Sequence, residues 1–320
     1  MPEPEVARIG RLLRSGRSFF IAAHQSPDGD TIGCALALYS VLRRMGKKAV
    51  VFSTDPVPAS LSFLPFFKKV KAGTPPAPGF DTAVLMECSS PSRAGNVAEI
   101  LAAAKQVINI DHHRTSERYG TVNYIDKSAS STAEMLYGVF SAMKVKLTAD
   151  EAACLYSGLV TDTGRFQFPV TSPRTHMVAA GLLEAGAPAA KINKLVYDVA
   201  PLPALKTLGL ALHNLHLEHG GRTAVSTLRL KELRGVGAAA SDAEGVVNRG
   251  LMVPGVQVSV LFREDQERVN VNFRSSGRVD VSAIARGFGG GGHRNASGCK
   301  MRLPFEECVS RVLSAIKKSY

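Results

Sequence analysis

The first 185 or so residues alternate between short, mainly apolar runs and longer segments with helical spacing. Phe19 to Ala23, Lys48 to Ser53, Asp81 to Met86 and Gln106 to Ile110 are the short runs, each of strand length. Between them, Val6, Ile9, Leu12 and Leu13 fall on one side of an amphipathic helix, and Thr31 to Met45 is an apolar stretch of helical length stopped by Gly46. Ser131 to Met143 and Thr148 to Val160 are predicted helices, the second opening with a Thr-Ala-Asp-Glu capping box. Continuous apolar strands separated by helices predict a parallel sheet covered on both faces. In such sheets ligands gather beyond the carboxyl ends of the strands.

From about residue 188 to 215 the pattern reads as a helical connector punctuated by Pro188, Pro201 and Pro203. A second unit follows, with strands at Thr223 to Leu228, Val256 to Phe262 and Val269 to Phe273 and helices at Val279 to Arg286 and Pro304 to Lys317. The predicted class is therefore α/β: a mainly parallel sheet with helices on both faces, plus a smaller α/β domain.

Composition narrows the class further. The chain has 320 residues, 45% hydrophobic and 21% charged, as expected of a soluble globular protein with two domains. No apolar run approaches the roughly 20 residues of a membrane helix. The acidic start, Met1-Pro2-Glu3-Pro4-Glu5, lacks the features of a signal peptide. Five scattered cysteines favour reduced thiols, and together these points predict a cytoplasmic protein. The net charge of +12 favours anionic partners. Arg263, Arg268, Arg274, Arg278, Arg286, Arg294, Lys300 and Arg302 concentrate that charge in the last third.

Three polar clusters interrupt the pattern. His24-Gln25-Ser26-Pro27-Asp28-Gly29-Asp30 follows the first apolar run, Asp111-His112-His113 ends a later one, and Thr161-Asp162-Thr163-Gly164 closes a helix. Glu87 ends a further strand. Burying so many ionisable groups is costly unless each finds a strong partner, and a divalent metal or a phosphate is such a partner. Taken singly, each cluster has a plain structural explanation as a cap or a turn. Their recurrence at the ends of comparable elements points to one shared site. Imidazole and carboxylate donors suit Mn²⁺, with Fe, Co or Zn also compatible, and the donors suffice for two ions. The run Gly289-Gly290-Gly291-Gly292-His293 reads either as a flexible turn or as a backbone nest binding an anion with His293. His213, His216 and His219 alternate with leucines and read as an element surface rather than a metal site.

These motifs, in this order and over nearly the whole chain, resemble the DHH phosphoesterase superfamily. Within it they resemble the branch of nano-RNases and 3′-phosphoadenosine 5′-phosphate (pAp) phosphatases, with its DHH-associated C-terminal domain. The resemblance implies a DHH metal-binding catalytic domain over residues 1–187, the connector over 188–215, and a substrate-binding domain over 216–320 across a cleft. It implies a dinuclear manganese site, with Mg²⁺ or Co²⁺ as other possible ions. His24 and Asp28 would hold one ion, Asp30 and His112 the other, and Glu87 and Asp162 would bridge. Asp111 would orient a histidine and His113 would contact the substrate phosphate. Arg274, Ser275, Gly290, Gly291, Gly292 and His293 would bind the nucleotide. Glu87 departs from the aspartate usual at its position and carries its carboxylate about 1.5 Å further out.

The activity so implied is metal-dependent hydrolysis of short oligoribonucleotides, pAp, or both, by an activated water. The partners so expected are a short RNA or small nucleotide and no membrane, with a homodimer as an assembly left open. Other substrates that the superfamily brings into view are cyclic or linear dinucleotides, single strands attacked by RecJ-like exonucleases, and pyrophosphate. A non-catalytic nucleotide- or RNA-binding module is the reading from another class.

Overall fold

The computed structural model describes residues 4–320, so Met1 to Glu3 of the acidic N-terminus lie outside the described residues. The chain divides into two compact units, Met1–Val199 and Ala200–Tyr320. The segment read as a connector is thus shared between the units, its last helix belonging to the second.

The first unit runs α1 (Glu5–Ser15), β1 (Ser18–Ala22), α2 (Gly29–Arg44), β2 (Lys48–Ser53), β3 (Val70–Ala72), β4 (Thr82–Met86), α3 (Ala98–Ala103), β5 (Gln106–Asp111), β6 (Val122–Ile125), α4 (Thr132–Ala142), α5 (Ala149–Asp162), α6 (Pro173–Glu184) and α7 (Ala189–Asn193). Its six strands are all parallel, in the order β3-β2-β1-β4-β5-β6. Alternation along each strand splits the apolar residues between two cores. Phe19, Ile21, Val84, Met86, Ile108 and Ile110 pack under α1, α2, α4 and α5, whereas Phe20, Ala22, Ala83, Leu85 and Val107 pack on the other face with Ile100 of α3. The two-sided burial expected from continuous apolar runs is present, and the strand order reverses between β1 and β4. That reversal opens a crevice at the carboxyl ends of these strands.

Caps fix where the helices start. Asp28 accepts from the Asp30 and Thr31 amides to begin α2, Ser131 from Glu134 N–H to begin α4, and Thr148 forms the expected capping box with Glu151 at α5. Helices α2 and α5 pack at backbone distance. A Cβ at Gly33 would collide with the Cys154 carbonyl, so this crossing tolerates only glycine.

The second unit runs α8 (Leu202–His213), β7 (His216–Glu218), β8 (Thr223–Leu228), α9 (Leu230–Gly235), β9 (Val258–Glu264), β10 (Val269–Ser275), α10 (Val281–Arg286), β11 (Gly291–His293), β12 (Ala296–Met301) and α11 (Phe305–Lys317). Its mixed sheet has the order β11-β12-β10-β9-β8-β7. Val260, Phe262, Val269, Val271 and Phe273 face α10 and α11. The other face carries the polar alternates of the same strands, partly covered by a second cluster around Ala211, Leu233 and Leu261. No single described helix is long and apolar enough to cross a membrane.

Candidate active site

All six residues expected as metal ligands converge at the carboxyl end of the parallel sheet. His24 follows β1, Glu87 follows β4, His112 follows β5, Asp28 and Asp30 open α2, and Asp162 closes α5. The donor atoms form two groups, each with all its atoms within 4.8 Å of one another: His24, Asp28 and Glu87, and Asp30, Glu87 and His112. Glu87 belongs to both. Asp162 stands beside the second group, its Oδ2 3.0 Å from His112 Nε2.

Each donor is aimed by its surroundings. His24 Nδ1 donates to the Gln25 carbonyl at 2.7 Å, which leaves Nε2 free, 3.4 Å from Glu87 Oε2 and 3.6 Å from Asp28 Oδ2. Asp28 spends Oδ1 on the α2 amides and keeps Oδ2 for the cluster. Asp30, fully buried, accepts from the Thr132 and Ala133 amides at 2.6 and 2.9 Å and from Cys34 Sγ at 3.3 Å. The amino end of α4 thus points at a carboxylate of α2, where its partial positive charge stabilises the anion. Glu87 has a left-handed backbone, φ 57°, in a residue type that rarely adopts it. Such strain persists where surrounding structure enforces it. Here the Glu87 amide donates to the Ile110 carbonyl, tying the turn to β5.

The buried orphans are informative. Glu87 Oε1, Asp111 Oδ2 and His112 Nε2 are shielded from solvent and make no hydrogen bond. For His112 Nε2 the neighbouring group is the Asp162 carboxylate, its Oδ2 3.0 Å away. Buried polar atoms left unpaired in this way need a further partner. Crowding also shifts the acid–base equilibria. Burial, with neighbouring carboxylates, holds Asp30, Glu87 and Asp162 above the usual carboxylate range. Burial pulls the His112 imidazole down, but the Asp162 and Asp30 carboxylates outweigh it and push it up to about 9. Excess negative charge gathered out of water is the state a divalent cation relieves, so the residues present fit such an ion.

Beside this cluster, Asp111 is fully buried and accepts from the His113 amide at 2.9 Å, with His113 Nδ1 2.7 Å from the same oxygen. His113 is half-exposed and its ring lies 4.7 Å from that of His112.

In the second unit, register brings two of the expected substrate residues together. His293 pairs with Ala296 and Ala296 with Arg274, so both long side chains rise from one sheet face across a small residue. Ser275 alternates to the other face, where its hydroxyl accepts from Gly277 N–H. The glycine run is not the open nest that was one reading of it. Gly289 and Gly290 donate their amides to Arg286 and Ala285, closing α10, and Gly291–His293 is an edge strand. A side chain at Gly290 would strike the Gly298 carbonyl.

The α4 amino end at Asp30 and the Asp55 carboxylate that accepts from the Ser26 amide were not anticipated. Ser130-Ser131-Thr132 before an apolar run carried a signal, since such a start offers free amides to an anion.

Fold and site together define a two-unit α/β protein with a cluster of imidazole and carboxylate groups that could hold divalent cations at a strand-order reversal. The chain belongs to the DHH family. The model of the DHH family N-terminal domain matches residues 18–159 and that of the DHHA1 domain residues 220–320. Among curated relatives, the chain is 34% identical to the bifunctional oligoribonuclease and PAP phosphatase NrnA of Thermus thermophilus, covering 99% of this chain and 96% of that protein. It is 30% identical to the protein of the same name from Bacillus subtilis, over 87% of each. Among solved structures, an exopolyphosphatase-related protein from Bacteroides fragilis superposes with a TM-score of 0.89 at 26% identity, covering 98% of this chain and 96% of that one.

Proposed function

We propose that this chain is a metal-dependent phosphoesterase that hydrolyses short oligoribonucleotides and pAp. The observation carrying the proposal is the pair of donor groups that share Glu87, in a chain similar over its whole length to oligoribonuclease and PAP phosphatase relatives. His24 and Asp28 would hold one divalent ion, Asp30 and His112 a second, with Glu87 and Asp162 between them. Mixed imidazole and carboxylate donors favour manganese. The chemistry such ions supply is neutralisation of the phosphoryl oxygens and acidification of a water.

The remaining work falls to the chain. Asp111 accepts the Nδ1 proton of His113 and so fixes that ring; as the imidazolium it would donate from Nε2 to phosphoryl oxygens, its positive charge offsetting the charge that develops on them. The α4 amides hold the Asp30 carboxyl in place. Arg274 and His293 would grip the nucleotide from their shared sheet face, the guanidinium fork matching phosphate oxygens. The five cysteines are free and buried, which suits a reducing cytoplasm.

The test is a panel of RNAs of graded length, pAp, cyclic dinucleotides and pyrophosphate, each with Mn²⁺, Mg²⁺ or chelator. Dinucleotides and pAp should turn over only with metal. Hydrolysis confined to cyclic dinucleotides or pyrophosphate would reassign the substrate, and binding without hydrolysis would reduce the chain to a nucleotide-binding module.

A further inference from the structure

The second unit carries a cavity of about 400 Å³ that none of the expected substrate residues except Gly290 lines. Three side chains dominate it, and the ladder explains how they meet. Asn270 on β10 pairs with Lys300 on β12 and with Arg263 on β9, so all three leave the same sheet face in one cross-strand row. Adjacent strands lie about 4.8 Å apart, so the two cations flank the amide. Asn272 lies one step along β10 on the same face, and Gly289 and Gly290 form the rim beside β12.

Asn270 makes this a built site rather than a charged patch. It is only 8% exposed, and its Nδ2 is buried without a hydrogen-bond acceptor. A buried amide donor left unpaired costs on the order of 1–3 kcal/mol, a cost an incoming acceptor removes. Neither Arg263 nor Lys300 forms an ion pair among the described residues. Asp265 follows β9 beside this row, where its carboxylate accepts from the Gln266 amide and lies within reach of Arg263, Arg268 and the Asn270 side chain. An acceptor-rich anion satisfies all three donors together.

We infer that this pocket is a phosphate subsite for a nucleotide, held by Asn270 Nδ2, Arg263 and Lys300. It lies about 14 Å along β10 from Arg274, four residues at strand rise, on the face that carries Arg274 and His293. A short RNA gripped at Arg274 has further phosphates to place. That choice of ligand rests on the proposed function, whereas the pocket's preference for a phosphate rests on its own donors.

The test reads Lys300 directly and needs no turnover. The full-length protein is acetylated slowly with an activated ester, and modification of each lysine is followed by mass spectrometry with AMP, adenosine or inorganic phosphate present. AMP at about ten times its apparent Kd should slow Lys300 acetylation about tenfold, by the factor 1 + [L]/Kd, while leaving Lys317 unchanged. Adenosine should not protect, inorganic phosphate should protect less, and Arg263→Gln should abolish protection while the other lysines react as in the parent. No protection by AMP, or persistence of it in Arg263→Gln, overturns the site. Protection by adenosine equal to that by AMP overturns the phosphate assignment, and equal protection by inorganic phosphate overturns the nucleotide assignment. Hydrolysis of dinucleotides with Mn²⁺ is read separately, so either conclusion can fail alone.

Discussion

Replacing Gly158 by alanine sets two physical effects against each other at one atom. The residue lies inside α5, where propensity alone favours alanine by roughly 1 kcal/mol. Yet a Cβ there would collide with Asp30 Oδ1, and would sit 3.0 Å from the Asp30 Cα and 3.1 Å from the Ala133 Cβ. The struck oxygen cannot swing away freely, because Ala133 N–H and Cys34 Sγ both donate to it. Overpacking of this kind costs about 1–3 kcal/mol and the weakened hydrogen bond about 0.5–1.5 more. After the helical gain, the net loss is about 0.5–3.5 kcal/mol, a fall in Tm of about 1–14 °C at roughly 2–4 °C per kcal/mol. The same displacement moves a proposed metal ligand, so the Mn²⁺ dependence of Tm should weaken as well. Differential scanning calorimetry in chelator and in graded Mn²⁺ measures both effects. Gly209→Ala, in α8 where a Cβ meets nothing within 4 Å, is the control and should gain stability. A Gly158→Ala protein as stable as its parent, with unchanged response to Mn²⁺, would refute the steric argument.

Three further outcomes follow from the same geometry. The metal-free protein should lose stability as pH rises from about 6.5 to 9. His112 is raised to about 9, so the folded state holds that proton more tightly, and the contribution is complete below the unfolded value and gone above the folded one. The raised carboxylates act in the same direction from lower pH. A Tm that climbs across that window contradicts this, and Mn²⁺ should help more at higher pH because binding displaces protons. Glu87→Ala should lower kcat/KM on the order of 10²-fold or more, with Glu87→Asp intermediate, and equal activity of both with the parent would remove Glu87 from the site. Asp111→Asn should cut kcat by roughly 10–100-fold through misorientation of His113, with KM and metal content little changed, and parental kcat in that variant would exclude the positioning role.

Much of the first unit was legible because parallel strands buried on both faces must be continuously apolar. Phe19 to Ala22 and Thr82 to Met86 needed no tertiary information. Their carboxyl ends could then be read as one neighbourhood, which located His24, Glu87 and His112 together. The edge strands were not legible. Val122–Ile125 and Gly291–His293 bury few side chains and exist through pairing to a neighbour, a long-range fact. Nor could the row of Arg263, Asn270 and Lys300 be read, since it depends on the register of strands joined through intervening segments. The hold on Asp30 from α4, 102 residues away along the chain, is hidden for the same reason.

The outermost strand of the parallel sheet has a bearing on how the protein survives at high concentration. Only Val70–Ala72 guards that border, and Lys68, Lys69 and Lys71 crowd it. A ribbon so brief offers few free amides to a passing chain, and another copy approaching it meets its own ammonium groups. Like-charge gatekeeping of this sort opposes fibrillar stacking, so exchanging these three lysines for threonine should shorten the shelf life of a stored solution well before it alters folding.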